Sequence, residues 1–263
     1  MKPRALILTG YGLNTDYELQ HGFQLAGADA SRVHLNDLID GRTKLKDFQI
    51  LAIPGGFAFA DDLGGGKIFA QRLRTHLFDE LMEFVEDDKL IFSACNGFQI
   101  LVKLGMLPAI SGYREQEVTL TFNNSGRFEN RWVYLKVNPK SSCVFTRDID
   151  RLLYFPVRHG EGKFVPRDEQ VLSDLKSKDQ IVVTYVNAQG QPDHFPWNPN
   201  GSIENIAGVC DPTGRIFGLM PHPEAFLYRY NHPRWTREDL PEEGQGLQLF
   251  KNAVAYLATG VGI

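Results

Sequence analysis

Leu90-Ile91-Phe92-Ser93-Ala94-Cys95-Asn96-Gly97-Phe98-Gln99, continuing to Gly105, is the stretch that decides how the chain is read. An apolar run ends in small residues, a nucleophilic side chain follows, a glycine stands two residues on, and apolar residues then recur at helical spacing. That order describes a nucleophile elbow, in which a sharp strand-to-helix turn presents the nucleophile at the edge of a sheet. Cys95 would be the nucleophile. A cysteine between a strand and a helix is also a common small buried hydrophobe, so the reading depends on a partner elsewhere in the chain.

The flanking sequence supplies the sheet. Ala5-Leu6-Ile7-Leu8, closed by Thr9-Gly10-Tyr11-Gly12, reads as a buried strand and turn. Thr15 and Glu18 have capping-box spacing at the head of a helix that Gly27 can stop. Residues 32–35 and 48–53 read as further strands, the second closed by Pro54-Gly55-Gly56. Ile68, Phe69, Leu73, Leu77, Leu81, Phe84 and Val85 recur largely three or four apart, which predicts one amphipathic helix leading into the strand before Cys95. After Pro108, Val118–Phe122, 131–137 and Ile181–Val186 are short runs suited to antiparallel strands. Residues 216–220 form another apolar strand, and Leu247, Phe250, Val254 and Leu257 mark a closing helix. The expected fold is α/β, a doubly wound, mostly parallel sheet with helices on both faces and antiparallel additions. A single domain is expected over residues 1–263, with an insertion-like polar and aromatic segment at about 225–245.

The chain has 263 residues, 43% hydrophobic and 23% charged, with a net charge of -4, which fits a soluble globular protein with a sizeable core. No basic excess invites nucleic acid. The N-terminal string lacks a signal-peptide core and no segment is long enough to span a bilayer, so a cytoplasmic protein without a membrane partner is expected. Three cysteines, Cys95, Cys143 and Cys210, without CxxC spacing argue against a disulfide framework or a zinc knuckle. Cys143 and Cys210 have no base motif beside them and read as structural. Gly64-Gly65-Gly66-Lys67 invites a phosphate-loop reading, but Asp61 and Ile68 stand where such a loop needs glycine and Ser or Thr. Segment 57–67 therefore reads as a mobile surface loop.

A catalytic cysteine acts as thiolate, and an ordinary thiol with pKa of about 8.5 is mostly protonated at neutral pH. The helix following Cys95 offers a favourable dipole, and a histidine must supply the base. His222-Pro223-Glu224 has the most informative surroundings. Two residues along an extended chain return a side chain to the same face, so Glu224 can orient His222. A solvated turn after a strand fits that string equally well taken alone; its place after an apolar strand favours a site at the carboxyl edge of the sheet. Pro54-Gly55-Gly56 ends a third strand, and its N–H groups with that of Asn96 can bind an oxyanion. A plain glycine turn is the alternative there.

Taken together, Cys95-Asn96-Gly97-Phe98-Gln99, the Pro54-Gly55-Gly56 loop and the late His222-Pro223-Glu224 resemble the class I (triad) glutamine amidotransferases. Ser125-Gly126-Arg127-Phe128-Glu129-Asn130-Arg131-Trp132, His159-Gly160-Glu161-Gly162-Lys163-Phe164, Asn198-Pro199-Asn200-Gly201-Ser202 and Asn205-Ile206-Ala207-Gly208 extend the match. So does Gly218-Leu219-Met220-Pro221 leading into His222, and the whole resembles the glutaminase subunit of phosphoribosylformylglycinamidine synthase, of the purine pathway. The resemblance implies that Cys95 attacks the side-chain amide of glutamine, His222 passes a proton to departing ammonia, and Glu224 holds His222. It also implies that water hydrolyses the γ-glutamyl thioester, that Gln99 helps hold the substrate, and that Gly56 and Asn96, next to Gly55, are oxyanion donors.

Ammonia would pass to a separate PurL-like synthetase subunit, with a small PurS-like bridging subunit allowed for. ATP and Mg belong to that partner, and no cofactor or metal is implied on this chain. The chain departs from the family at Ser93, where glycine is frequent and where a positive φ would make serine costly. Ala225-Phe226 stands where many relatives have arginine. His159 and Glu161 also suit a metal, but no third ligand stands at useful spacing, and a pocket wall or partner interface is the preferred reading. A stand-alone cysteine hydrolase acting on peptides or γ-glutamyl compounds remains an alternative. So does a catalytically silent regulatory subunit, whose usual mark is a lost triad residue.

Overall fold

β1 (Arg4–Thr9) shows how one short apolar run serves two cores. Ala5 and Ile7 face one side of the sheet and Leu6 and Leu8 the other, all four fully buried. The structure, a computed structural model, describes residues 2–259. Met1 of the N-terminal string and residues 260–263 of the expected single-domain span lie outside the described residues.

The chain continues through α1 (Asp16–Leu25), β2 (Asp29–His34), α2 (Leu35–Ile39), β3 (Ile50–Ile53), α3 (Lys67–His76), α4 (Phe78–Glu86), β4 (Leu90–Ala94) and α5 (Asn96–Leu104). Then follow β5 (Val118–Phe122), β6 (Glu129–Val137), β7 (Leu153–His159), β8 (Glu161–Pro166), α6 (Glu169–Ser177) and β9 (Ile181–Val186). β10 (Ile206–Cys210), β11 (Ile216–Leu219) and α7 (Leu247–Ala258) complete it.

Nine strands form one sheet in the order β2-β1-β3-β4-β11-β10-β9-β6-β7. Every pairing from β2 to β11 is parallel, and every pairing from β11 to β7 is antiparallel. Only β10 and β6 thus run against the other seven strands. The doubly wound sheet with antiparallel additions is the observed architecture; β5 and β8 pair separately as a two-stranded ribbon. On one face α1 and α7 bury Leu19, Phe23, Phe250 and Leu257; on the other α3, α4 and α5 bury Phe69, Leu73, Phe84 and Leu101. Among the described residues no helix is long and apolar enough to cross a membrane.

The single helix expected over 68–85 is two helices, broken at Leu77 (φ -134, ψ 7). Phe69, Leu73, Leu77, Leu81 and Val85 lie four apart, and each step of four drifts about 40° round a straight helix, roughly 160° over the run. The break at buried Leu77 returns the stripe to the sheet. Thr15 does precede α1, but its side chain makes no capping hydrogen bond. After β11 the chain turns at Pro223–Ala225 and again at Arg229–Asn231, and Tyr228 pairs with Glu243 before α7 begins. This stretch covers a cavity of about 460 Å³ lined in part by Tyr134, Tyr154, His232 and Arg234, which shares no residue with Cys95, His222 or Glu224.

The strand that carries the elbow is fixed by Phe92, fully buried against the rings of Phe23, Phe145, Phe217 and Phe250. Phe92→Ala should lower stability by about 3–5 kcal/mol through lost transfer energy and the cavity left behind. Urea unfolding should show this as a lower midpoint at unchanged slope; a midpoint within error of the wild type would refute the packing argument.

Candidate active site

Parallel register brings three chain ends to one edge. Ile53 lies opposite Ser93 and Leu219 opposite Ala94, so the segments after β3, β4 and β11 leave the sheet side by side at its carboxyl end. The first turn of α5 sits directly on the end of β3: a Cβ at Gly97 would lie 2.1 Å from the Ile53 carbonyl oxygen. On the other side, a Cβ at Gly218 would lie 2.2 Å from Cδ2 of Phe98. Ser93 lies inside β4 outside the left-handed region, and its Oγ donates to the Phe217 carbonyl at 3.1 Å. The strain falls at Cys95, with φ 51 and ψ -109. Such backbone costs of order 1–3 kcal/mol and persists only where its surroundings fix it. Here the Cys95 N–H donates to the Leu219 carbonyl at 2.8 Å, and its own carbonyl accepts the Gln99 N–H at 3.1 Å.

The structure brings Cys95, His222 and Glu224 together in a nearly closed site, 5%, 2% and 2% exposed. Gly55 is the common neighbour of the first two: a Cβ there would lie 2.7 Å from Cε1 of His222 and 3.3 Å from Cβ of Cys95. The Cys95 thiol donates to the Arg158 carbonyl, 3.8 Å away. His222 Nδ1 and Glu224 Oε1 are 2.6 Å apart. They meet through a single 3₁₀ turn at Pro223–Ala225, not through the extended backbone expected from the sequence, because Pro223 opens that turn. His222 Nε2 and Glu224 Oε2 have no partner among the described residues.

Burial opposes a charge on His222, yet the Glu224 carboxylate and Cys95 outweigh it and hold its pKa well above the usual histidine value. His159, 3% exposed, goes the other way. Burial, then the nearby charge of His222, pushes it down to about 3. Asn123 Nδ2 donates to the carbonyls of Arg127 and His159, which assigns its Oδ1 as the acceptor 3.1 Å from His159 Nδ1.

The two loop glycines separate in function. The Gly55 N–H is used by Thr15 Oγ1 at 2.9 Å, so this glycine serves close approach and is not an available donor. Gly56 has φ +154, and a Cβ on it would meet the Gly12 oxygen at 2.3 Å. The N–H groups of Gly56 and Asn96 find no acceptor among the described residues. Gln99, 4% exposed, is more engaged than the sequence suggests: Oε1 accepts from Asn96 Nδ2 at 2.8 Å and Nε2 donates to the Glu161 carbonyl at 2.7 Å. One N–H and one lone pair of its amide remain unused.

Segment 57–67 lies at the surface as expected, with Phe57, Ala60, Asp62, Leu63 and Lys67 exposed, and is pinned across this site. Gly65 N–H donates to Glu161 Oε2 and Gly66 N–H to Asp61 Oδ1, each at 3.1 Å. Phe59, Ala60 and Asp61 all take left-handed backbone, with φ of 54, 56 and 54. Left-handed conformation costs an L-residue roughly 1–2 kcal/mol. Glu161 thus serves as a strap anchor and His159 as a neutral buried wall; among the described residues no three His, Cys, Asp or Glu side chains gather to hold a metal. The Thr15 hydroxyl, the Arg158 carbonyl and Asp61 were not found from the sequence, where Asp61 registered only as the residue that disqualified a phosphate loop.

A mixed sheet whose parallel edge carries a strained cysteine elbow and an adjoining His–Glu pair is the architecture of a class I glutamine amidotransferase. Residues 2–257 match the CobB/CobQ-like glutamine amidotransferase domain, and the chain belongs to this family, among the PurQ-type subunits. It is 49% identical to the phosphoribosylformylglycinamidine synthase subunit PurQ of Dehalococcoides mccartyi, over 97% of this chain and 98% of that one. The PurQ subunit of Methanococcus maripaludis is 44% identical over 97% of each chain. A chain in the structure of PurLQS from Thermotoga maritima superposes with a TM-score of 0.73 at 30% identity, covering 98% of this chain and all of that one. A glutamine amidotransferase from Thermotoga maritima shares the fold at 14% identity, with a TM-score of 0.55 over 98% of each chain.

The two buried histidines predict opposite pH effects. His159 binds its proton far more weakly folded, at about 3, than unfolded at about 6.5, so the stability tied to its neutrality is complete above pH ~6.5. It is lost as pH falls from there towards about 3, at up to about 1.4 kcal/mol per pH unit. For His222 the stability tied to its charge is present below its ordinary pKa and is lost as pH rises through its raised value. His159→Gln should flatten the acid limb of urea stability against pH; an unchanged limb would assign it to other groups.

Proposed function

We propose that this chain is the glutaminase subunit of a phosphoribosylformylglycinamidine synthase. It hydrolyses glutamine to glutamate and ammonia, and a synthetase partner uses that ammonia to convert formylglycinamide ribonucleotide to formylglycinamidine ribonucleotide. The observation that carries the chemistry is the placement of Cys95 and His222 together against Gly55, with Glu224 on Nδ1 of the imidazole. The acceptor is supported by PurQ relatives of 43–49% identity and by the chain of the PurLQS structure that it matches.

In this reading the Cys95 proton passes to His222 Nε2, the nitrogen that Glu224 leaves free, and Sγ attacks the γ-carbonyl carbon of glutamine as the thiolate. The N–H groups of Gly56 and Asn96 receive the oxyanion of the tetrahedral intermediate, a role in which one donor is typically worth about 10²–10³ in kcat. The C–N bond breaks, His222 returns the proton to the leaving nitrogen, and ammonia departs. Water then attacks the γ-glutamyl thioester, giving its proton to His222, and release of glutamate restores the thiol. Glu224 fixes the ring and stabilises the imidazolium formed at each transfer. Gln99 contributes its remaining polar atoms to the glutamine pocket.

No step on this chain calls for a cofactor; ATP and Mg²⁺ belong with the PurL-like synthetase, which activates the amide oxygen that nitrogen replaces. A PurS-like subunit as the bridge between the two is the further reading, supported by the assembly named for the Thermotoga maritima structure. The silent-subunit alternative needs a missing triad residue, and Cys95, His222 and Glu224 are all present.

Cys95→Ala should abolish glutamine-dependent synthesis by the assembled complex while leaving synthesis from added ammonium salt near the wild-type rate. Equal loss of both activities would overturn the assignment, because a nucleophile confined to the glutaminase half cannot affect ammonia that enters from solution.

A further inference from the structure

The two N–H groups assigned to the oxyanion come from different segments, Gly56 from the loop after β3 and Asn96 from the elbow after β4. Their relative position is set by the side chain of Asn96, which is fully buried. Its Oδ1 accepts the Ala58 N–H at 3.0 Å, two residues beyond Gly56. Its Nδ2 donates to Asp61 Oδ1 at 3.0 Å and to Gln99 Oε1 at 2.8 Å. The same amide thus ties the donor loop to the donor elbow.

An amide can perform this task in only one of its two orientations. Turned over, it would set Nδ2 against the Ala58 N–H and Oδ1 against two acceptors. Asp61 holds the correct orientation, because its carboxylate accepts and never donates when ionised. Asp61 Oδ1 also accepts the Gly66 N–H at 3.1 Å, closing the strap on itself. The three left-handed residues Phe59, Ala60 and Asp61 turn the strap back so that this carboxylate reaches a residue 35 positions later in the chain. Tyr11 supports the turn, its ring stacked on Phe59 at 4.6 Å and its carbonyl accepting the Phe59 N–H at 2.7 Å.

We propose that Asp61 is a positioning residue for the oxyanion hole, acting through the side chain of Asn96 to hold the Gly56 and Asn96 N–H groups in register. The proposal deepens the glutaminase reading and rests on it. Asp61 makes no hydrogen bond to Cys95, His222 or Glu224 and reaches the site through Asn96; its effect falls on the step in which negative charge builds on the carbonyl oxygen. Gln99 keeps its separate bond to the Glu161 carbonyl when Asp61 is lost, so glutamine binding should change little, and reactions of Cys95 that create no oxyanion should not change.

The test uses the complex of the full chain with its synthetase. Asp61→Ala should lower kcat for glutamine hydrolysis about 10- to 100-fold, with KM for glutamine changed less than about twofold. Asp61→Asn keeps an oxygen where Asn96 and Gly66 donate, and should recover kcat to within about threefold of wild type. Alkylation of Cys95 by a haloacetamide, a displacement at saturated carbon that builds no oxyanion, should keep its wild-type rate in both variants, as should synthesis from ammonium salt. An Asp61→Ala kcat within about twofold of wild type overturns the proposal. So does an Asp61→Asn variant as impaired as Asp61→Ala, or a parallel loss of kcat and alkylation rate, which would mean general collapse of the site. A wild-type complex that hydrolyses no glutamine would overturn the glutaminase reading itself, whereas an active wild type with an unimpaired Asp61→Ala overturns this inference alone.

Discussion

The closeness of α5 to the end of β3 is the dimension on which the active edge depends. Gly97 permits it, since a Cβ at that position would come within 2.1 Å of the Ile53 oxygen. A helix seated this low brings the elbow level with the Gly55–Gly56 loop, and Gly218 gives Phe98 the matching room over β11. The chain must then turn within one residue, and Cys95 takes the strained backbone that results. Of order 1–3 kcal/mol is stored there. Two backbone hydrogen bonds to Cys95 and the aromatic packing around Phe92 keep the strain in place without spreading it into β4.

The antiparallel half of the sheet completes the site. The last residues of β7 run past the catalytic groups: the Pro156 carbonyl accepts the His222 N–H at 2.9 Å, the Arg158 carbonyl accepts the Cys95 thiol, and His159 closes the wall. The Glu161 carbonyl at the start of β8 then anchors Gln99, and its carboxylate anchors the strap. One parallel edge thus supplies the cysteine, the histidine and the glycine loop, while β7 at the far side of the sheet and β8 in the separate ribbon supply the acceptors that orient them.

What could be read from the sequence was whatever local geometry dictates. The Cys95 elbow, the Pro54-Gly55-Gly56 loop and the His222–Glu224 pair each require particular residue types within a few positions, and all lie where that reading placed them. β7, β8, β10 and α6 were not separated, because their identity rests on pairings between residues far apart in the chain. The break at Leu77 was hidden because the apolar stripe continues through it. Thr15 has the spacing of a cap, yet its hydroxyl meets the Gly55 N–H, 40 positions away, and no local pattern distinguishes the two uses. The strap was hardest to see. Its glycines and aspartates have the composition of a solvated loop, and only the partners Asn96 and Glu161 convert them into a fixed structure.

The two buried histidines show how partner type decides a role when burial is the same. His222 has a carboxylate 2.6 Å from Nδ1, which offsets the cost of holding a charge away from water. His159 has a carboxamide oxygen at the same nitrogen, a neutral acceptor that cannot meet that cost. The two choices are linked, because the charge on His222 itself disfavours a proton on His159. A charged His159 would in turn repel the proton that His222 must receive from Cys95 and give up to ammonia. Asn123 in place of an acid therefore does more than fix a ring: it leaves the site with one imidazole able to carry charge, the one that Glu224 holds beside Cys95.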